Sequence, residues 1–495
     1  MPLTSASPGI ETSASRLYDS VTALRVAVAS EADEIMEGWG PRIERDEFMT
    51  SARNLAAYIA VRHHDLRKLQ LELMPLGLSS LGRCEARVLP NLDAVIAALS
   101  VLRGDGRAAD GPDRDVFFEG NELLRRQTEA AFGPTPPNRA VRIMVTLPSE
   151  AAAEPGLARD LVSVDMDIAR INCAHDDEAA WAEMAGHVRA AAADAGRPCR
   201  VCFDLCGPRS RVDSTTVPDS VRVRLGDRVL MTPGPVPVAA EWSRQFQCSI
   251  PEVFPALEPG AAVWVNDGKL GLVVESKRDE GVLLRVTDAR ERGERLRPDK
   301  ALNFPGTKLT LDPLTGKDLR DLDAIVPLAD MVGYSFVQRP DDVARLQAEL
   351  AGRDAPPDLP LVAKIETALA VESLPELIVQ GAGRQPLAIM IARGDLMVEV
   401  GHRRLAEIQE ELLWLCEAAH VPVIWATQVL DNLVKKGVRN RAEMTDAAMA
   451  ERAECVMLNK GPHAGEAVEL LDDVLGRMEG HQFKKTSRMR ALRSW

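Results

Sequence analysis

The sequence predicts an α/β fold: a (β/α)₈ TIM barrel with an inserted β-rich lid domain and an N-terminal α-helical domain. Three observations predict it. From Val141 onward, short apolar runs alternate with amphipathic helical stretches, the pattern of parallel strands each followed by a helix. One connection, residues 207 to 306, is far too long for a barrel loop and turns to alternating Val-rich segments with Pro and Gly. Ahead of the barrel, Ser15 to about Arg103 carries helical rather than strand spacing.

Taken in order, residues 1–14 are rich in Ser, Pro and Thr and are expected to be disordered. Ser15 to Arg103 is helical, with apolar residues three or four apart in Ser51–Leu71 and again in Asn91–Leu102 behind Pro90. His63 and His64 fall on a helix surface with no accompanying carboxylate or cysteine cluster. Leu76–Arg83 reads as a loop packed against a neighbour, with no chemistry assigned. Gly104–Arg114 and Gly133–Asn138 are linkers. The eight strands are expected at Arg142–Leu147, Ile168–Asn172, Arg200–Leu205, Met331–Val337, Leu361–Glu366, Ala388–Ala392, Val421–Ala426 and Cys455–Leu458. Within the insertion, Ser220–Arg224, Ala261–Val265 and Gly281–Val286 alternate as strands, and Asn266-Asp267-Gly268 reads as a hairpin turn. An insertion on the C-terminal face lies over the site as a lid. The expected division is therefore 1–137 N-terminal helical region, 138–208 first part of the barrel, 209–304 inserted lid, 305–480 second part of the barrel, and 481–495 a basic C-terminal tail.

Composition narrows the function. Of 495 residues, 46% are hydrophobic and 27% charged, ordinary for a globular protein with room for about three domains. No apolar run reaches membrane-spanning length, and the N-terminus lacks a basic region followed by an apolar one, so neither a membrane partner nor a secretory signal is expected. A net charge of −14 argues against a nucleic-acid partner, which needs basic surface, while leaving room for a small anion in a local basic pocket. The eight scattered cysteines suit a reducing cytoplasm, and Cys199, Cys202 and Cys206 are read as core thiols.

The chemistry concentrates in two stretches. Leu361–Glu366 places Lys364 and Glu366 two apart, hence on one face of a strand. Ala388–Glu399 runs apolar into Arg393, Gly394 and Asp395. Two carboxylates at neighbouring strand ends hold a divalent cation with the help of substrate oxygens. A lysine beside that cation stabilises an anion forming on the substrate. Either stretch alone is explained by a buried Lys–Glu pair or a turn aspartate; both in this order point to a metal-assisted site. Arg170, Asn172, Asp204 and Thr427 also fall at or near strand C-terminal ends, where a barrel carries its site.

Lys-Ile-Glu (364–366), then Ala-Arg-Gly-Asp-Leu-x-Val-Glu (392–399), then Ala426-Thr427-Gln428, together resemble the pyruvate kinase family over residues 140 to 475. That family has the same plan, with a β lid inserted after the third strand. The resemblance implies transfer of phosphate from phosphoenolpyruvate to ADP, giving pyruvate and ATP, with Mg²⁺ (or Mn²⁺) and a place in glycolysis. Ala169-Arg-Ile-Asn-Cys-Ala-His would supply Arg170 for the transferred phosphoryl group, Asn172 for the substrate and His175 on the nucleotide side. Asp204 with Gly207-Pro208 matches the Asp-x-x-Gly-Pro segment, and Arg211 its nucleotide-side arginine. Lys300, ahead of Asn303-x-Pro305-Gly306, falls at the return from lid to barrel and is assigned to the nucleotide. Lys364 would be the electrophile facing the enolate. Glu366 and Asp395 would bind the metal, with Arg393 and Gly394 beside the substrate and Thr427 near its methylene face.

The departures are specific. Two oxygen ligands of the family's potassium site are replaced, by Ala174 and Leu205, and the usual Gly-Pro-Glu reads Gly207-Pro208-Arg209. Either the Arg209 guanidinium takes the place of the monovalent cation, so that K⁺ is not required, or the site has lost its function. Cys206 stands where the family has lysine. The turn after the first strand is shortened to Thr146-Leu-Pro-Ser, and Asn459-Lys-Gly-Pro-His replaces the usual Ser-Gly-Glu-Thr, which puts nucleotide use in question. No counterpart of the C-terminal regulatory domain is expected, so a homo-oligomer would not be built on one. Two other readings stand beside the kinase: a Mg²⁺-dependent lyase or aldolase acting through an enolate of a 2-oxo acid, and a non-catalytic metabolite-binding regulator.

Overall fold

The computed structural model describes residues 8–78, 80–104, 109–235, 242–266, 268–309 and 311–488. In chain order the barrel opens with β1 (Arg142–Thr146), β2 (Ile168–Asn172) and β3 (Arg200–Asp204). Seven strands of the insertion follow: β4 (Val212–Thr215), β5 (Arg228–Thr232), β6 (Gln245–Cys248), β7 (Ala262–Val265), β8 (Leu270–Arg278), β9 (Gly281–Asp288) and β10 (Leu302–Asn303). The barrel resumes with β11 (Met331–Tyr334), β12 (Leu361–Ile365), β13 (Leu387–Ala392), β14 (Val423–Ala426) and β15 (Cys455–Leu458). The eight barrel strands pair in parallel and close, β15 returning to β1. Both faces of these strands are covered, by barrel interior and by helices, so each reads as a continuous apolar run.

The insertion forms one mixed sheet in the order β10-β7-β8-β9-β5-β6-β4, with a core of its own around Val229, Phe246, Leu272 and Leu284. The expected hairpin joins β7 to β8, with Asp267 itself outside the described residues. The strand expected at Ser220–Arg224 does not form. Only Val223 makes a ladder contact, an isolated bridge to Glu294, because the neighbouring chain turns at Pro218 and Gly226.

Helices α1 (Pro8–Trp39), α2 (Asp46–Arg62), α3 (Arg67–Leu73), α4 (Val88–Leu102) and α5 (Arg114–Phe132) make up the N-terminal region. The disorder expected over residues 1–14 is corrected for 8–14, which are helical; residues 1–7 lie outside the described residues. Ala14, Leu17, Val21 and Val28 are buried at helical spacing against α2 and α4, so the Ser/Thr-rich start is a helix beginning. Leu81 of the 76–83 loop is buried in the same core, with Leu76 and Leu78 packed beside it.

The helical region packs directly on the barrel, a placement that residue types did not reveal. Asn54 of α2 donates to Ala418 O (2.8 Å) and Glu85 O (2.7 Å) and accepts from Val88 N (2.9 Å). His420 donates from Nε2 to Ala86 O (3.0 Å), so its Nδ1 accepts from Ser51 (2.9 Å). Burial pushes this imidazole down to about 4, so it is neutral at physiological pH. Gly120 of α5 lies so close that a Cβ would sit 1.9 Å from Ala86 O. Phe132, the last residue of α5, enters the barrel's interior cluster with Met144, Ile168, Met331 and Val362 and closes its floor. The expected basic tail is corrected as well. Gln482–Phe483 (β16) and Thr486–Ser487 (β17) form a hairpin. From it Lys484 reaches Glu454 and Arg452 O (2.9 Å), and Lys485 reaches Glu85. Residues 489–495 lie outside the described residues.

Candidate active site

The strand ends on the C-terminal face converge on a cleft of about 230 Å³. Arg170, Asn172, His175, Arg209, Arg211, Lys300, Lys364, Glu366 and Asp395 all line it, with Asn266 and Asp299 approaching from the inserted sheet. Asp204 forms the floor beneath them: it takes both Arg170 Nε (2.8 Å) and Nη2 (2.5 Å), while Lys364 Nζ lies 3.3 Å away. Arg170 is held on its other side by Thr146 Oγ1 at the end of β1 (2.9 Å). Burial alone would raise the Asp204 carboxyl, but Lys364 and Arg170 hold it below the ordinary range, so it stays ionised.

Lys364 Nζ sits among Ser335 Oγ (2.7 Å), Asp204 Oδ2 (3.3 Å) and Glu366 Oε1 (3.3 Å). Burial favours the neutral amine, yet Asp204 and Glu366 outweigh it and hold the ammonium above its ordinary value. Glu366 is opposite in sense: burial and the charge of Asp395 push it up, against the pull of Lys364 and a hydrogen bond from Phe336 N (2.7 Å). A carboxylate disfavoured by a neighbouring carboxylate in a closed, polar cleft is what a hard cation relieves. Among the described residues no cluster of three or more His, Cys, Asp or Glu could hold a metal. Two carboxylates and open space therefore fit a divalent ion that completes its coordination with substrate and water oxygens.

Asp395 lies in the first turn of the helix Arg393–Val400, which starts directly after β13. Arg209 Nη2 approaches its Oδ1 at 3.3 Å. Ala174 and Leu205, the two apolar departures, line the same cleft. Asn172 Oδ1 accepts from Ala174 N (3.1 Å), closing its own turn. His175 is held below the usual imidazole range by burial and by the charges of Lys460 and Arg211. Cys206, expected in the core, is half-exposed and lines the cleft, because it lies one residue beyond the buried end of the β3 run.

Four sequence-predicted residues lie outside the lining: Asp204 beneath it, and Thr427, Gly394 and Arg393. Thr427 has φ 67°, left-handed backbone that costs a β-branched residue on the order of 1–3 kcal/mol. Its Oγ1 accepts from Gly394 N (2.9 Å), which leaves its own proton to donate. Arg393 is braced away from the cleft, on Asp446 (2.5 and 2.8 Å), on the carbonyls of Ala426 (2.9 Å) and Thr427 (2.7 Å), and over the Trp425 ring.

Sequence reasoning missed Ser335, whose polar side chain at the C-terminal end of the fourth apolar run was the available signal. It also missed Asp318, although Thr315-x-x-Asp318 is a capping-box pattern and forms one. Asp318 Oδ1 accepts from Cys206 N (3.0 Å) and Gly207 N (3.3 Å), fixing the root of the insertion. Gly207 itself is required twice: φ is +65°, and a Cβ would lie 2.9 Å from Ser335 Cβ.

Fold and site together define a TIM barrel whose C-terminal face gathers a buried lysine, an arginine and a pair of carboxylates in one polar cleft, with residues of an inserted β domain on its lining. The family model "Pyruvate kinase, barrel domain" matches residues 138–468, and the chain belongs to the pyruvate kinase family. It is 33% identical to a pyruvate kinase of Methylorubrum extorquens over 332 residues, 66% of this chain and 66% of the relative. It is 30% identical to pyruvate kinase 1 of Trypanosoma brucei brucei over 348 residues (69% and 67%). With a pyruvate kinase of Agrobacterium vitis it shares 30% over 366 residues (70% and 71%). The chain thus spans about two thirds of the length of these relatives. Helices α1–α5 and the hairpin at 482–487 lie outside the matched barrel.

Proposed function

We propose that the protein transfers the phosphoryl group of phosphoenolpyruvate to ADP, releasing pyruvate through its enolate. The observation that carries this reading is Lys364 Nζ, held charged at the cleft surface between Asp204, Glu366 and Ser335. Arg170, oriented by Asp204 and Thr146, binds the transferring phosphoryl oxygens. Lys364 faces the oxygen that becomes the enolate as the P–O bond breaks. Glu366 and Asp395 would hold Mg²⁺ (or Mn²⁺), which would supply Lewis-acid chemistry when bound. Thr427, its Oγ1 already accepting from Gly394, directs its proton toward the methylene carbon through a water and completes pyruvate. Arg211, His175 and Lys300 lie on the nucleotide side of the same cleft.

Arg209 brings a permanent positive charge to the cleft that Ala174 and Leu205 also line, which supports a reaction independent of K⁺. The test is pyruvate formation from phosphoenolpyruvate and ADP by the full chain with Mg²⁺, with and without K⁺. Turnover unchanged by K⁺, and lost in R209E, is the expected result. Turnover that requires K⁺ overturns the role of Arg209. No turnover under either condition, with the protein folded, overturns the kinase reading and favours a binding or lyase function.

A further inference from the structure

Ser335 follows directly on β11 and is 2% exposed. Its hydroxyl has one proton to give and lone pairs to receive, and its partners decide how these are used. Leu205 O, 2.7 Å away, is a carbonyl that can only accept, so the proton goes there. Lys364 Nζ, also 2.7 Å away, is an ammonium that can only donate, so a lone pair receives it. The hydroxyl is therefore oriented by the residue that follows β3, and it presents an acceptor to Lys364.

A lysine needs such an anchor, because its four-carbon stem is flexible and its ammonium carries three rotatable donors. The contact to Ser335 is the short one, whereas Asp204 Oδ2 and Glu366 Oε1 each stand 3.3 Å from Nζ. Both carboxylates are also engaged elsewhere, Asp204 by Arg170 and Glu366 by Phe336 N. The corner that carries the hydroxyl is itself confined. Phe336 has φ 57°, in the left-handed region. Gly207 passes so close that a Cβ there would lie 2.9 Å from Ser335 Cβ and 3.1 Å from Phe336 Cδ2. Asp318 in turn holds Gly207 N and Cys206 N, so the root of the insertion backs the corner.

We infer that Ser335 is a positioning residue for the proposed reaction: its hydroxyl, committed as donor to Leu205 O, fixes the Lys364 ammonium at one point. The two remaining protons, on the long contacts, are the ones that turn to the substrate oxygen. This rests on the reading of Lys364 as the group that faces the enolate. The next residue holds the metal carboxylate through Phe336 N, so one corner sets both the lysine and Glu366.

The test uses the full chain carrying Ser335→Ala and Ser335→Cys. Cysteine fills the space of serine but offers only a weak acceptor, so it separates the hydrogen bond from packing. Rates of pyruvate formation from phosphoenolpyruvate and ADP with Mg²⁺ are measured beside crystal structures of both variants. The expected result is kcat lowered roughly tenfold to a hundredfold in both, with KM for phosphoenolpyruvate and the Mg²⁺ needed for activation little changed, and Lys364 Nζ displaced by about 1 Å or more. A kcat near wild type in S335C, with only S335A impaired, makes Ser335 a packing residue and overturns the proposal. Lys364 Nζ unmoved in both variants overturns it as well. Should the wild type form no pyruvate, the kinase reading fails separately, and the displacement of Nζ still decides whether Ser335 positions Lys364.

Discussion

Two buried lysines at opposite ends of the barrel show why burial and ion pairing do not by themselves mark a site. Lys364 is 9% exposed and Lys484 6%, and both meet carboxylates. At the floor, Lys484 donates to Glu454 and to the Arg452 carbonyl (2.9 Å), and Glu454 also accepts from Val423 N (2.8 Å). At the top, Lys364 faces more acid than it neutralises. Glu366 remains pushed up by burial and by Asp395, and the assembly opens onto a cleft. The floor pair is complete and holds a hairpin to the barrel. The top cluster is incomplete, and the proposed cation and anionic substrate would finish it.

The contrast is broken first at the floor. Lys484→Met leaves Glu454 buried without its partner and is expected to destabilise the fold by about 3–5 kcal/mol while sparing kcat, read by denaturant unfolding beside an activity assay. A smaller stability effect belongs to the nearby Glu417 carboxyl, which burial, with Glu85, pushes up to about 7 despite Lys484. Its folded pKa is above the unfolded value, so its stabilisation is full below about pH 4.5 and lost as pH rises through 7. Glu417→Gln is therefore expected to gain roughly 3 kcal/mol at pH 8 relative to pH 4, seen as a flatter plot of unfolding free energy against pH. At the top, Glu366→Gln should lower turnover about a hundredfold, roughly 2.7 kcal/mol, and move Mg²⁺ activation to higher concentration with little change in melting temperature. Gly207→Ala, with its positive φ and its close contact to Ser335, should cost about 1–3 kcal/mol of stability and displace the hydroxyl that touches Lys364, lowering kcat more than it changes KM.

Much of the barrel was legible because its strands are buried on both faces and so appear as unbroken apolar runs such as Leu361–Ile365. The polar residues ending them, Arg170, Asp204, Lys364 and Glu366, stood out against that background, and they do converge. Asp395 was readable too, although it begins a helix instead of ending a strand. Arg393 was not, since an arginine two residues before Asp395 gives no sign that Asp446, fifty-three positions away, holds its guanidinium off the cleft. Pro8–Ala14 and residues 481–488 were misread because Ser/Thr-rich or basic composition says nothing of the surface on which a segment packs. The placement of α1–α5 depended on contacts such as Asn54 to Ala418 and His420 to Ser51, long-range pairs with no local pattern.

The most direct measurement is the rate of pyruvate formation from phosphoenolpyruvate and ADP by Lys364→Met, with the unfolding curve of the same sample. A loss of at least a thousandfold, beyond anything the shift in unfolding midpoint accounts for, is predicted, because methionine keeps the stem as far as Cε and removes the ammonium with its contacts to Ser335, Asp204 and Glu366. Retained turnover, or a loss explained entirely by unfolding, would make Lys364 a structural lysine like Lys484 and contradict the assignment of the site.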